Sequence, residues 1–186
     1  MTEGLVVALF LAASGEQPDL TATALARLRA RVAVDLIEAG ALAGRYQVPP
    51  VGLGGLAGDE LHLFPDGTYV YCEWADVEPL TVHDKGQWRS SGGLLALTSD
   101  ADITWDPGAE RQYIVVRRTS QQGEALLIGV QRHLRILEQV EDMNDDQLLW
   151  LSLSRSGMYK DLRVAARTKA KLMREAWRPE SFRGAR

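Results

Sequence analysis

Residues 60–74 constrain the fold of this chain more than any other stretch. Glu60-Leu61-His62-Leu63-Phe64 leads into Pro65-Asp66-Gly67, and Thr68-Tyr69-Val70-Tyr71-Cys72-Glu73-Trp74 leads out of it. Proline presets φ at the first turn position and Gly67 can take positive φ, so the spacing predicts a β-hairpin closed by a three-residue turn. Pairing Phe64 with Thr68 puts Leu61, Leu63, Tyr69 and Tyr71 on one face and His62, Phe64, Val70, Cys72 and Trp74 on the other. Both faces are largely apolar, so the hairpin needs cover on both sides.

More short strands follow at close spacing. Gly86-Gln87-Trp88-Arg89 and Leu94-Leu95-Ala96-Leu97 are joined through Ser91-Gly92, which sets Trp88 opposite Leu95, with Gly86 and Leu97 on the same face. Gln112–Arg118, Ala125–Val130, His133–Glu138 and Gln147–Ser154 have strand composition, the last with Leu149, Leu151 and Leu153 inward. Strands separated by polar turns, without intervening helices, predict a mainly β fold. The expected architecture is an antiparallel barrel of about eight to ten strands over residues 44–156.

Helical signals flank the barrel. Leu25, Leu28, Val32, Leu36 and Ala39 share one face of a helix over 18–41, with Asp19 as its cap and Gly40 as its stop. This helix is the expected cover for the first hairpin. After the last strand, Leu162, Ala166, Ala170, Met173 and Trp177 form an apolar stripe over 160–178. Arg163, Arg167, Lys171, Arg174 and Arg178 form a basic stripe beside it, and a tail, 179–186, follows Pro179. Residues 160–186 carry a formal charge of +6 and residues 1–159 carry −10, within an overall −4. A basic end on an acidic body points to an electrostatic role for that end. Leu5–Ala13 is continuously apolar and precedes small residues, which suits a signal peptide over 1–15 and a secreted or periplasmic location. Met1-Thr2-Glu3-Gly4 has no Lys or Arg, so a short buried segment is the alternative.

Candidate chemistry is sparse. Gly52-Leu53-Gly54-Gly55-Leu56-Ala57 matches a dinucleotide fingerprint in form, but Pro49-Pro50 precede it and a strand follows, so no helix N-terminus receives a phosphate. No GxSxG occurs. The single Cys72 sits mid-strand as a small buried hydrophobe, which leaves no intrachain disulfide and no CxxC site. His62, His83 and His133 lack metal-ligand spacing, and His62 is expected to be a packed residue. The acidic groups at Asp100, Asp102 and Asp106, and at Glu141, Asp142, Asp145 and Asp146, lack the glycine-containing spacing of a Ca²⁺ loop and suit solvated turns. No catalytic residue, cofactor or metal is expected.

Gly44-Arg45-Tyr46 opens the β region after a helix, and DGTYVYCEW (66–74), DKGQW (84–88) and LLALTSD (94–100) follow. In these short motifs, over about residues 44–154, the chain resembles small bacterial barrel proteins of lipocalin-like appearance. Lipocalins place a Gly-x-Trp after a short helix, and Gly44 and Tyr46 occupy that place with Tyr for Trp. A later Thr-Asp-Tyr is absent, and the basic helix follows the last strand instead of preceding it. The resemblance implies a barrel, and an apolar ligand if the interior is hollow.

Three functions compete. The first is a non-catalytic barrel that binds a small apolar ligand or a protein partner, with Tyr69, Tyr71, Trp74 and Trp88 as ligand or core aromatics. The second is a packed barrel that docks on an acidic partner through Arg163, Arg167, Lys171, Arg174 and Arg178. An enzyme with dispersed carboxylates has the least support. Nucleic acid is not expected, because the acidic body repels phosphates and no aromatic platform adjoins the basic stripe. A membrane surface is disfavoured because the two alanines in the apolar stripe leave little area to insert.

Overall fold

The computed structural model describes residues 39–47, 57–76, 78–100, 111–117, 125–130 and 152–175. Their secondary structure is a helical turn, α1 (Ala39–Leu42), eight strands and one helix, α2 (Leu162–Glu175). The strands are β1 (Gly44–Gln47), β2 (Ala57–Leu63), β3 (Thr68–Ala75), β4 (Glu78–Ser91), β5 (Leu94–Ser99), β6 (Gln112–Arg117), β7 (Ala125–Gly129) and β8 (Ser152–Met158). Each pairs antiparallel with its neighbour in sequence, and β8 pairs with β1, so the sheet closes into a barrel without an edge. The expected apolar segment 1–15, the helix over 18–38, the loop 48–56, the strand 133–138 and residues 176–186, including Trp177 and Arg178, lie outside the described residues.

The first hairpin has the expected register. Leu63 pairs with Tyr69 and Leu61 with Tyr71. Gly67 has φ of +80°, a region L residues avoid. One face of this hairpin points into the barrel, where Leu61, Leu63 and Tyr69 pack with Leu42, Tyr46, Trp88, Leu95, Tyr113 and Leu127. The other face is covered by α2. Phe64, Val70, Cys72 and Val82 pack with Ala165 and Leu172, and Tyr159 and Met173 lie against them. Both faces are therefore buried, and among the described residues the outer cover is the C-terminal helix.

The second hairpin differs in detail. Its turn is Gly92-Gly93, both with positive φ as a two-residue type I′ turn requires, so Trp88 pairs with Leu97 and Ser90 with Leu95. Moving the turn by one residue shifts the pairing by two. The strand period is also two, so Trp88 stays on the predicted interior face. β4 begins at Glu78, well before the expected Gly86. It turns the polar Asp84 inward, and His83 is an extra residue between the pairs Tyr71–Asp84 and Cys72–Val82. That bulge breaks the alternation that marks a strand in sequence. β8 ends at Met158, past the expected boundary at residue 156. Gly157 sits opposite Arg45, and a bulge at Ser156 closes the seam with β1.

Candidate functional site

Of the four aromatics, Trp88 and Tyr69 lie in the barrel interior, 4% and 1% exposed. Trp88 donates its indole N–H to the Phe64 carbonyl at 3.0 Å, which ties β4 to the first turn. Tyr71 is half-buried against the same interior cluster, and its hydroxyl donates to Glu73 at 3.3 Å. Trp74 is on the outer wall, its ring lying over Gly58, where a Cβ would come within 3.0 Å of it. It does not join the other three.

Farther from the first turn, the interior carries a polar group that the sequence did not reveal. Asp84 is 5% exposed. Its carboxylate accepts from the Tyr69 hydroxyl (2.5 Å), the Ser99 hydroxyl (2.6 Å), Arg111 Nη1 (2.5 Å) and its neighbour's amide, Lys85 N (2.9 Å). Burying a carboxylate is costly unless it is paired and hydrogen-bonded, and these four donors meet that demand. Burial, reinforced by the adjacent Asp84 carboxylate, raises the Tyr69 phenol well above its ordinary range, so it stays a donor. Arg111 precedes β6, so its meeting with Asp84 exists only in the closed barrel.

A second chain of polar contacts fixes the outer wall under the start of α2. Arg45 donates to Glu60, Glu60 lies 3.1 Å from His62 Nε2, and His62 Nδ1 lies 2.6 Å from the Tyr159 hydroxyl. Burial pushes the Glu60 carboxyl up, but its bonds from His62 and Arg45 together outweigh that and hold it below its ordinary value. His62 is buried and packed, with its ring stacked on those of Phe64 and Tyr159. Cys72 is fully buried, and burial raises its thiol to about 12. Such a thiol is a poor nucleophile. Among the described residues no group of three or more His, Cys, Asp or Glu side chains could hold a metal ion.

α2 carries the basic stripe. Asp161 caps it, accepting from the Arg163 amide at 2.7 Å. The packed face is Ala165, Leu172 and Met173, with Lys169 beside them. Lys169 Nζ donates to Asp66 at 2.9 Å and to Thr68 Oγ1 at 2.7 Å and lies over the Phe64 ring. The expected apolar stripe is therefore misplaced. Leu162 is 68% exposed, Ala166 and Ala170 are exposed, and only Met173 of the described members packs. One Lys stem with two hydrogen-bond partners sets the rotation of the helix better than small alanines can. Arg163, Arg167, Lys171 and Arg174 consequently project to solvent, opposite the packed face. Met158 and Val164 are also exposed, and they line a surface groove of about 470 Å³ with Tyr159, Lys160 and Asp161.

No protein-family model, no curated protein and no solved structure matches this chain.

Proposed function

We propose that this protein is a non-catalytic barrel that works by binding, and that it docks on an acidic protein partner through the outer face of α2. The observation that carries this reading is the placement of Arg163, Arg167, Lys171 and Arg174 opposite the packed Ala165–Leu172 face. Residues 162–174 carry five basic side chains and no acidic one, so the helix is strongly basic up to its last residue, Glu175. Lys169, the one basic residue of α2 that turns inward, is engaged by Asp66 and fixes the helix, so the stripe is presented from a rigid support. Like-charged rows on rigid elements steer oppositely charged partners and are screened by salt.

A lipocalin-like role, with a small ligand inside the barrel, is the second reading. The half-buried Tyr71 beside Glu73 favours it. Tyr46, Leu61, Leu63, Leu95 and Leu127 are fully buried, so this reading places the ligand on the Asp84 side instead. A ligand seated there meets Arg111 and Ser99, which suits polar groups better than a wholly apolar molecule.

The test is binding to poly-L-glutamate at about 50 and about 300 mM salt, where the Debye length falls roughly from 14 to 6 Å. Wild-type protein should bind at low salt and release at high salt. The triple variant Arg163→Glu, Arg167→Glu, Arg174→Glu, folded to the same thermal midpoint, should not bind. Equal binding by that variant contradicts the reading.

A further inference from the structure

Resting on the docking reading above, we infer that the partner of α2 is an extended acidic segment with one bulky apolar side chain, seated in the groove of Met158, Tyr159 and Val164. The groove opens at the start of α2, and its apolar members Met158 and Val164 are 43% and 51% exposed. Large apolar side chains at solvent beside the exposed Arg163, Arg167 and Arg174 are the composition of a binding surface, not of a solvated helix face. Arg163 to Arg174 spans eleven residues of helix, or roughly 16 Å. An extended chain covers that length in about five residues. A matching segment therefore carries its apolar anchor at one end and two or more Asp or Glu within the next five positions. The acids belong over Arg167 and Arg174, away from Asp161, whose carboxylate borders the groove.

An anionic bilayer fits this surface less well. Leu162 and Val164 are two residues apart on a helix, so they point about 160° away from each other, on opposite flanks of the basic row. A flat membrane that meets the row engages neither flank deeply, whereas a peptide can lie along the row and turn one side chain into the groove on the Val164 side.

The experiment is selection of a phage-displayed random library of about twelve residues on the full chain at low salt, followed by anisotropy with synthetic peptides. Enriched peptides should pair Leu, Ile, Phe or Trp with at least two acids inside five positions. Their Kd should rise at least tenfold on Val164→Asp, on Met158→Asp, on Arg163→Glu with Arg167→Glu, and when the peptide's apolar residue becomes Ser. Thermal midpoints establish that each variant is folded, and both Val164 and Met158 are exposed enough to accept a charge. Acid-only peptides indifferent to Val164→Asp and Met158→Asp overturn the apolar anchor and leave the docking reading standing. Enriched peptides without acids overturn both. Failure to enrich any peptide, together with sedimentation on phosphatidylglycerol vesicles that Arg163→Glu with Arg167→Glu abolishes, assigns the basic row to lipid and also overturns the inference.

Discussion

The ammonium of Lys169 lies 2.9 Å from the carboxylate of Asp66, so the turn that closes the first hairpin also clamps the helix that covers it. The clamp bridges residues far apart in sequence and fixes the rotation of α2 about its own axis. Burial pushes the Asp66 carboxyl up, but its bonds from Thr68 and Lys169 together hold it below its ordinary range. The pair is partly exposed, so its own contribution is small, on the order of 0–1 kcal/mol. Lys169→Met should leave the global urea midpoint nearly unchanged and loosen α2. Cys72 lies beneath the helix, so the measurement is native-state labelling of its thiol. Faster labelling in Lys169→Met than in wild type is expected, and an unchanged rate would remove the clamp from the account.

Trp88 should be the most costly aromatic to truncate. Its ring packs in the interior and its N–H satisfies the Phe64 carbonyl. Trp88→Ala should cost about 3–5 kcal/mol in denaturant unfolding. Trp88→Phe keeps much of the packing and should cost less, with the remainder reporting the lost hydrogen bond. Wild-type stability in Trp88→Ala would show that this side chain does not fill the interior.

Two glycines separate conformational cost from steric cost. A Cβ at Gly67 meets nothing within 4 Å, so Gly67→Ala is penalised only for its positive φ, by about 1–2 kcal/mol. A Cβ at Gly86 would fall 2.0 Å from the Thr98 carbonyl, so Gly86→Ala must push β5 away from β4. Unfolding midpoints should therefore fall farther for Gly86→Ala than for Gly67→Ala. The reverse order would contradict the pairing of Gly86 with Ser99.

Breaking the interior carboxylate should be visible in stability. Asp84→Ala removes the carboxylate to which Arg111 and the Tyr69 hydroxyl donate. It should cost about 3 kcal/mol, the low end for a broken buried ion pair, because Arg111 keeps some solvent contact. A loss below about 1 kcal/mol would mean that water replaces the carboxylate without penalty.

The pH limits follow from groups with opposite shifts. Glu60 is held below its ordinary 4.5, so its contribution is fully present above that pH and is lost as pH falls below it. Burial raises Tyr46 and Tyr159 from 10.0 to about 12, partly offset by Arg155 and Arg45 respectively. A phenol raised on folding contributes stability below pH 10, and that contribution is lost as pH climbs toward 12. Urea midpoints should thus fall below pH 4.5 and again above pH 10. Tyr46→Phe should soften the alkaline loss while losing the hydrogen bond to the Leu42 carbonyl. A flat alkaline limb would show these phenols to be hydrated.

Much of the barrel was legible because its information is local. Pro65-Asp66-Gly67 fixes a turn, the turn fixes a register, and the register assigns two apolar faces that demand two covers. Ser91-Gly92 misled by one residue because Gly92-Gly93 is the better type I′ pair, and the period of two protected the face from that error. The first half of β4 was hidden by its bulge. The rotation of α2 was illegible for another reason. Leu162 and Ala166 satisfy a helical stripe, but the partner surface of Phe64, Val70 and Cys72 accepts Ala165 and Leu172, and Lys169 selects that rotation through a contact no local pattern encodes. Asp84 and Arg111 meet only when the barrel closes, so no spacing rule could join them.

The orientation of α2 carries the docking proposal, and thiol accessibility tests it most directly. In a Cys72→Ser background, single cysteines at the positions of Ala165 and Arg167 should label at very different rates under native conditions. Arg167→Cys should react near the rate of an unfolded peptide, and Ala165→Cys should be protected by at least about a hundredfold, as expected for a site that opens only when the helix undocks. Protection at position 167 with rapid labelling at position 165 would mean that the basic row faces the barrel, which contradicts docking through it.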